Sequence, residues 1–448
     1  MTDPRPARDA APSVPPNRRD FLTGAATLAG AGLASCIGTP AAKPQGAAAR
    51  TATRHTTPRT PVEEGQPVRI AVIGTGGMGT GHCKSLVGMA KAGAINAQVV
   101  AVCDVCAPRA ESARSWLAKE QGIEVDAYRY HEEVLAREDI HGVLIASPEH
   151  WHAQMVTDTI MAGKDVYVEK PMTLSVEDAV WLIDVMDAND DMICQVGTQY
   201  MMLPKYGEAR RIIAEGGIGK PTYSQTSYCR NSKGGEWLYK MDPAWVPGEA
   251  LDWERWCGPA GVAEWDPAVY ARWRRYKDWS TGIIGDLLVH QTTPMLYALG
   301  EPWPTRITAT GGHYVDKEME NHDQVNINME LEDDQVMSIV GSTCNEQGLE
   351  TLIRGHEANL FLGGRDVVLR PERVFADDID PETFACAAMD PQNELRRDWV
   401  ESIRTREANR SPVELAAKVM VMVDLATRSM WDGKAWAFDP ETRTAHAL

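Results

Sequence analysis

Six residues, Val68-Arg-Ile-Ala-Val-Ile73, are mostly apolar and β-branched, and they run straight into Gly74, Gly76 and Gly79 in the spacing G-x-G-x-x-G. Such a run reads as a short strand buried in a parallel sheet. The first glycine permits a tight turn, the second lets backbone approach a pyrophosphate, and the third lets the next helix pack close to the strand. The helix N-terminus then offers free N–H groups and a positive dipole end to phosphate. Gly74, Gly76, Gly77, Met78 and Gly79 are therefore expected to cradle a dinucleotide. The pattern alone is weak, and the flanking strand, helix and acid give it weight.

That acid is Asp104, 30 positions after Gly74, at the end of the strand-like run Gln98–Asp104. A carboxylate there can bind ribose hydroxyls and repels a 2′-phosphate, which favours NAD and leaves NADP possible. Asp104 can also cap the helix starting at Ala107. Gly142–Ala146 reads as a further strand, followed by Ser147-Pro-Glu-His-Trp-His152. Strand ends in parallel sheets face the ligand crevice, so Ser147, Pro148, His150 and His152 are expected beside the nicotinamide half of the cofactor. No third and fourth ligands fall at matching spacing, so no metal is expected. Asp165–Pro171 reads as a strand ending in Glu169-Lys170-Pro171. Pro171 holds Lys170 extended, at the same crevice edge, where an amine can serve as general acid or base. A surface lysine paired with Glu169 is the alternative.

A net charge of −18 over 448 residues excludes a nucleic-acid partner, because phosphate binding needs a basic surface. The nine cysteines show no disulfide spacing. Cys103 and Cys106 read as structural thiols rather than a redox or zinc pair.

Residues 1–36 read as a signal rather than fold. Asn17-Arg-Arg-Asp-Phe-Leu22 resembles the twin-arginine export motif, and the run from Phe21 to Ala34 is too short and too rich in Ala and Gly to span a membrane. The run ends in Leu33-Ala-Ser-Cys36, which looks like a lipobox with Cys36 as the lipidated residue. Ordinary cleavage or a chance cysteine is the alternative. The expected partners are the export machinery and, through the signal or a lipid anchor alone, a membrane. The expected location is the periplasm or cell envelope. Residues 37–66, rich in Ala, Pro, Thr and Gly, cannot form a core and read as a flexible tether.

Taken together, Gly74–Gly79 after a strand, Asp104, Ser147-Pro-x-His-x-His and Glu169-Lys170-Pro171 resemble the Gfo/Idh/MocA oxidoreductases, from residue 68 to about residue 440. The resemblance implies an α/β protein: a Rossmann dinucleotide-binding domain (67–197), then an α/β domain with a large, mostly antiparallel open sheet (198–448). It also implies a cis peptide before Pro171 and cofactor contacts from Glu169 and Lys170. Thr281-Gly-Ile-Ile-Gly-Asp286 and His290 fit the family's D-x-x-x-H pair, although many members have more glycine there. Carried over, the catalytic set is Lys170, Asp286 and His290. On a helix Asp286 and His290 share one face, so the carboxylate can orient the imidazole. An N-cap Asp and a buried His is the alternative.

Residues 231–279 hold seven tryptophans in an irregular stretch. Their faces suit the C–H faces of a sugar, or they simply pack a segment with little regular structure. Alternating runs between 306 and 362 read as antiparallel strands whose free face could pair with another subunit, so a homo-oligomer is expected. Residues 393–405 and 413–431 read as amphipathic helices.

These parts imply oxidation or reduction of a secondary hydroxyl on a sugar, glycoside or cyclitol. Outside the cytoplasm no NAD pool exists to replenish a lost cofactor, so a tightly held, recycled cofactor is expected. A redox-neutral glycosidase or lyase of the same family is the alternative, and a binding module without chemistry is a third.

Overall fold

The computed structural model describes residues 50–448, of which Thr51–Leu448 form one unit. The first sheet has six parallel strands, β1 (Val68–Ile73), β2 (Ala97–Cys103), β3 (Asp126–Tyr128), β4 (Gly142–Ile145), β5 (Asp165–Val168) and β6 (Cys194–Val196). Their spatial order is β3-β2-β1-β4-β5-β6. The order reverses between β1 and β4, so the crevice beyond their carboxyl ends is the ligand position in such a sheet. Ile70, Ala71 and Val72 of β1 are wholly buried, as a strand covered on both faces must be.

One covering helix comes from far along the chain. Pro391–Thr405 sets Leu395, Trp399, Val400 and Ile403 into the same cluster as Ile70, Leu86 and Leu144. Just beyond it Arg406 donates to Asp165 at the start of β5, at 2.5 and 3.0 Å. A division of the chain at residue 197 therefore separates the sequence more cleanly than the space, because residues 391–406 return to the cofactor domain.

The second sheet has ten strands. They are β7 (Pro221–Cys229), β8 (Pro304–Gly312), β9 (Gln324–Leu331), β10 (Gln335–Ser342), β11 (Leu352–Gly355), β12 (Ala358–Phe361), β13 (Val367–Pro371), β14 (Glu382–Phe384), β15 (Trp436–Asp439) and β16 (Thr444–Ala447). They lie in the order β14-β13-β12-β11-β7-β10-β9-β8-β15-β16. β7 and β10 pair in parallel, and the other neighbouring strands of this sheet are antiparallel. Along β9, Val325, Ile327, Met329 and Leu331 are buried while Asn326, Asn328 and Glu330 are exposed. The period of two thus sorts an apolar inner face from a polar outer one. The helix Val413–Asp432, buried along most of its length, packs between β8 and the first domain's helix Val176–Ala188.

Residues 51–66 depart from the free tether expected of them. Arg54 pairs with Asp190 and Asp191 at 3.0 Å, the His55 amide donates to Asn189 Oδ1 at 2.7 Å, and Asn189 Nδ2 donates to the Thr53 carbonyl at 3.0 Å. Val62 packs on the core of the first domain. The segment builds no core of its own, but hydrogen bonds and ion pairs lay it along the first domain. Arg18, Arg19 and Cys36 lie outside the described residues.

Candidate active site

The glycine turn is shaped by close approach. A Cβ on Gly79 would lie 1.8 Å from the Gly74 carbonyl oxygen, and one on Gly74 (φ +84°) would lie 2.7 Å from the Ala146 and Ser147 backbone. The helix Gly77–Lys91 starts with no side-chain cap and no acid in its first turn. Its first N–H groups, at Gly77 and Met78, are thus left for a ligand. Asp104 is fixed at the end of β2: Oδ2 accepts from Thr75 N at 2.8 Å and Thr75 Oγ1 at 3.0 Å, and Oδ1 accepts from Cys106 N at 2.9 Å.

A cavity of about 550 Å³ runs along these strand ends. Gly74, Gly76, Met78 and Asp104 line it, and so do Ser147, Pro148, His152, Glu169, Lys170 and Asp286. β2 and β5 are three strand spacings apart, about 14 Å, so Asp104 and Lys170 mark separate halves. The Ser147 hydroxyl is buried with no partner among the described residues.

The tryptophan-rich segment walls the Asp104 half. Ala107 N donates to the Ala250 carbonyl at 2.9 Å, and Asp252 N donates to the Val105 carbonyl at 3.0 Å. Arg109 stacks over Trp245 at 4.0 Å. Behind this, Trp253, Trp256 and Trp279 form a buried cluster with Cys106 and Tyr270. The tryptophans divide: these three are core, while Trp237, Trp245 and Trp273 line the cavity, as Trp256 also does in part. Cys103 and Cys106 are both buried, and burial pushes both thiols upward.

His150 is not where the sequence suggested. It is buried away from the cavity, with Nε2 2.9 Å from the Trp256 carbonyl and its ring between Trp256 and Trp279. Burial lowers it to about 4. A residue two positions along the same tight turn points elsewhere: the His152 ring reaches the Pro171 and Ser147 carbonyls at 2.7 and 2.9 Å. Burial also lowers His152. As a neutral ring it donates to only one of the two carbonyls.

At the other half, Lys170–Pro171 is a cis peptide, as the resemblance implied. Lys170 Nζ donates to Oδ1 and to the backbone carbonyl of Asp286, both at 2.8 Å. Asp286 sits on a π-helical turn, Ile284–Leu288, before the α-helix Val289–Ala298. Such turns concentrate at functional sites because they re-aim one side chain. Here the carboxylate turns to Lys170 and to Arg274, whose Nε donates to the same Oδ1 at 2.7 Å. Burial opposes its ionisation, but the Arg274 and Lys170 charges outweigh burial and hold Asp286 well below the usual carboxylate range.

The expected hydrogen bond from His290 to the Asp286 carboxylate is thus replaced by those from the two cations. His290 lies close by, its Nδ1 buried without a partner among the described residues and its ring 5.6 Å from that of Tyr200. Burial, then the Lys170 charge, lower it to about 3, so it is neutral at physiological pH.

The sequence reading missed three groups. Arg274 comes from the tryptophan-rich segment, where no periodicity marks a functional residue. Glu149 is buried, accepts from Thr281 N and Oγ1 at 3.2 Å, and is pushed up to about 7 by burial, with the Asp286 charge adding. It stands inside the Ser147–His152 motif, which was the available signal. His82 Nε2 meets Glu169 Oε1 at 2.7 Å, and Arg396 Nε donates to His82 Nδ1 at 2.9 Å. The imidazole is therefore the Nε2–H tautomer, donating to Glu169.

Residues 68–198 match the oxidoreductase family, NAD-binding Rossmann fold, of the GFO/IDH/MocA type, and residues 261–437 match that family's C-terminal alpha/beta domain. The chain belongs to the GFO/IDH/MocA oxidoreductase family. Within it, the chain is 38% identical over 159 residues to scyllo-inositol 2-dehydrogenase (NAD(+)) of Bacillus subtilis strain 168, covering 35% of this chain and 43% of that protein. It is 32% identical over 154 residues to inositol 2-dehydrogenase 1 of Saccharopolyspora erythraea, covering 34% and 43%. The match thus spans less than half the length of these curated relatives. Levoglucosan dehydrogenase in complex with NADH superposes with a TM-score of 0.62 at 18% identity, over 83% of this chain and 98% of that one. An oxidoreductase domain protein from Kribbella flavida does so with 0.62 at 16% identity, over 83% and 98%. At such identities these likenesses speak to the fold.

Proposed function

We propose that this protein oxidises or reduces a secondary hydroxyl of a sugar, glycoside or cyclitol with NAD. The single observation that carries it is Lys170 held on Asp286 in the half of the cavity away from Asp104. The inositol dehydrogenases among the relatives support the substrate class.

The residues present fit the cofactor. The uncapped helix start at Gly77 and Met78, the close-packed Gly74 and Gly79, and Asp104 suit pyrophosphate and ribose. The orphaned Ser147 hydroxyl offers a further polar contact. When bound, NAD accepts or returns the hydride of the reacting carbon.

Everything else falls to side chains. A Lys ammonium has three donors and Asp286 takes two, so the third is left for a hydroxyl in the cavity. In the reducing direction this ammonium N–H returns its proton to the oxygen that becomes the hydroxyl, and in the oxidising direction the neutral amine, its lone pair turned to the hydroxyl, takes that proton up and becomes the ammonium. Asp286, pinned as a carboxylate, fixes Nζ in place. His290, neutral and with Nδ1 buried without a partner among the described residues, stands behind Lys170 and Asp286 rather than on the cavity lining. Glu169 and His82 position the backbone that carries Lys170.

The retention of cofactor between turnovers, export by the twin-arginine route and lipidation at Cys36 are parts of the same proposal. The wall of residues 245–257 over the β2 end supports retention, because its backbone bonds and the Trp245–Arg109 stack border the Asp104 half of the cavity. A homo-oligomer through the second sheet would meet a polar face, Asn326, Asn328 and Glu330. Purified, dialysed protein should still carry NAD, released by acid and counted by enzymatic cycling. Protein that emerges free of NAD, and that needs added NAD to turn over, contradicts retention.

A further inference from the structure

The cations of the cavity fall into two sets. In the Asp104 half, Arg109 stacks on Trp245 and Tyr270, Arg129 is engaged by the Gly248 and Glu249 carbonyls, and Arg255 pairs with Glu132. In the Lys170 half, Arg230, Lys240 and Arg274 also line the cavity. Arg274 uses Nε on Asp286, and Arg230 sets its Nε 2.9 Å from Glu236. The terminal guanidinium nitrogens of both make no hydrogen bond among the described residues, while the two groups lie over the Trp237 and Trp273 rings at 5.6 and 4.1 Å, and Lys240 has no ion pair there.

Acceptors in the same half are largely engaged. Asp286 Oδ1 takes two donors, which leaves Oδ2 as its remaining acceptor. Glu169 is engaged by His82, which Arg396 backs. Glu149 is bonded to Thr281. Four cations, Lys170, Arg230, Lys240 and Arg274, thus face three carboxylates, Asp286, Glu169 and Glu236, in a chain whose net charge is −18. A neutral polyol brings hydroxyl donors that need acceptors. A lining of forked, charged donors matches an oxyanion instead, and the guanidinium fork matches a planar carboxylate at two oxygens.

We infer that the substrate is a sugar acid, a uronate or its glycoside, whose carboxylate is held by Arg230 and Lys240 while a ring hydroxyl meets Lys170. This rests on the sugar oxidoreductase reading and narrows its substrate class.

The test uses the NAD-loaded full chain and three matched pairs: glucose with glucuronate, galactose with galacturonate, mannose with mannuronate. Binding is read by calorimetry and cofactor reduction by absorbance at 340 nm. In at least one pair the uronate should bind about 10-fold or more tightly than its hexose, as charge-assisted hydrogen bonds require. Arg230→Gln and Lys240→Gln should each erode that preference, read as the ratio of uronate to hexose affinity within one variant. Lys240 is exposed, so its variant keeps the fold. The inference is overturned if hexose and uronate bind alike in every pair where either reduces the cofactor, or if both variants keep the preference. Tighter binding of hexose 6-sulfates than of uronates overturns the carboxylate assignment. If no sugar of either kind binds or reduces the cofactor, the oxidoreductase reading falls with it.

Discussion

Lys170 Nζ reaches two atoms of one residue, the carboxylate Oδ1 and the backbone carbonyl of Asp286, each at 2.8 Å. The double contact ties the end of β5 to the π-helical turn of the second domain, so the amine is aimed by both domains at once. Asp286→Asn keeps the side-chain shape and the carbonyl contact but leaves the Lys170 and Arg274 charges without a buried anion. The expected outcome is a turnover loss of about 10²-fold or more, with NAD affinity unchanged by calorimetry.

Glu149 gives a stability signature. Its folded-state value, about 7, lies above the ordinary 4.5, so the folded protein holds this proton more tightly than the unfolded chain does. The resulting stabilisation is fully present below pH 4.5 and is lost as pH rises through about 7, on the order of 3 kcal/mol in all. Glu149→Gln mimics the protonated acid. Urea unfolding between pH 5 and pH 8 should therefore fall less steeply with pH in the variant than in the native protein.

Gly79 offers a steric test of the cofactor cradle. A methyl group there meets the Gly74 carbonyl at 1.8 Å, a backbone atom that cannot rotate away. Gly79→Ala should shift the turn and weaken NAD binding by about 10-fold or more. Gly88, on the same helix, faces open space and does not line the cavity, so Gly88→Ala is the control and should bind NAD much more nearly as the native protein does.

The periodic parts of the structure were legible in the chain. β7 and β10 span the residues that alternation marks, and Val413–Asp432 follows its 3.6-residue apolar stripe. Three kinds of feature were not. β3 and β14, three residues each, are too short to show a period. The return of Pro391–Thr405 to the first sheet, and the Arg274 contact with Asp286, are tertiary choices that no local pattern encodes. His150 and His152 look alike in sequence. Only the tight turn, a 3₁₀ turn running into a helix, decides that one faces the tryptophans and the other the cavity.

The wall over the β2 end can be loosened without touching the Lys170 half. Trp245→Ala removes the ring that Arg109 stacks on. NAD release, followed by fluorescence after dilution, should speed up about 5-fold for the loss of such a half-buried cation–π contact. An unchanged rate would remove this wall from the account of retention.

The most direct measurement mixes the NAD-loaded protein with a panel of inositols, hexoses and hexuronates and follows absorbance at 340 nm in a single turnover, for the native chain and for Lys170→Met. The expected result is a rise with at least one sugar in the native protein, slowed about 10²-fold or more in the variant at unchanged NAD affinity. Equal rates in the two proteins, or no rise with any member of the panel, would contradict the assignment of this cavity as a Lys170-dependent sugar oxidoreductase site.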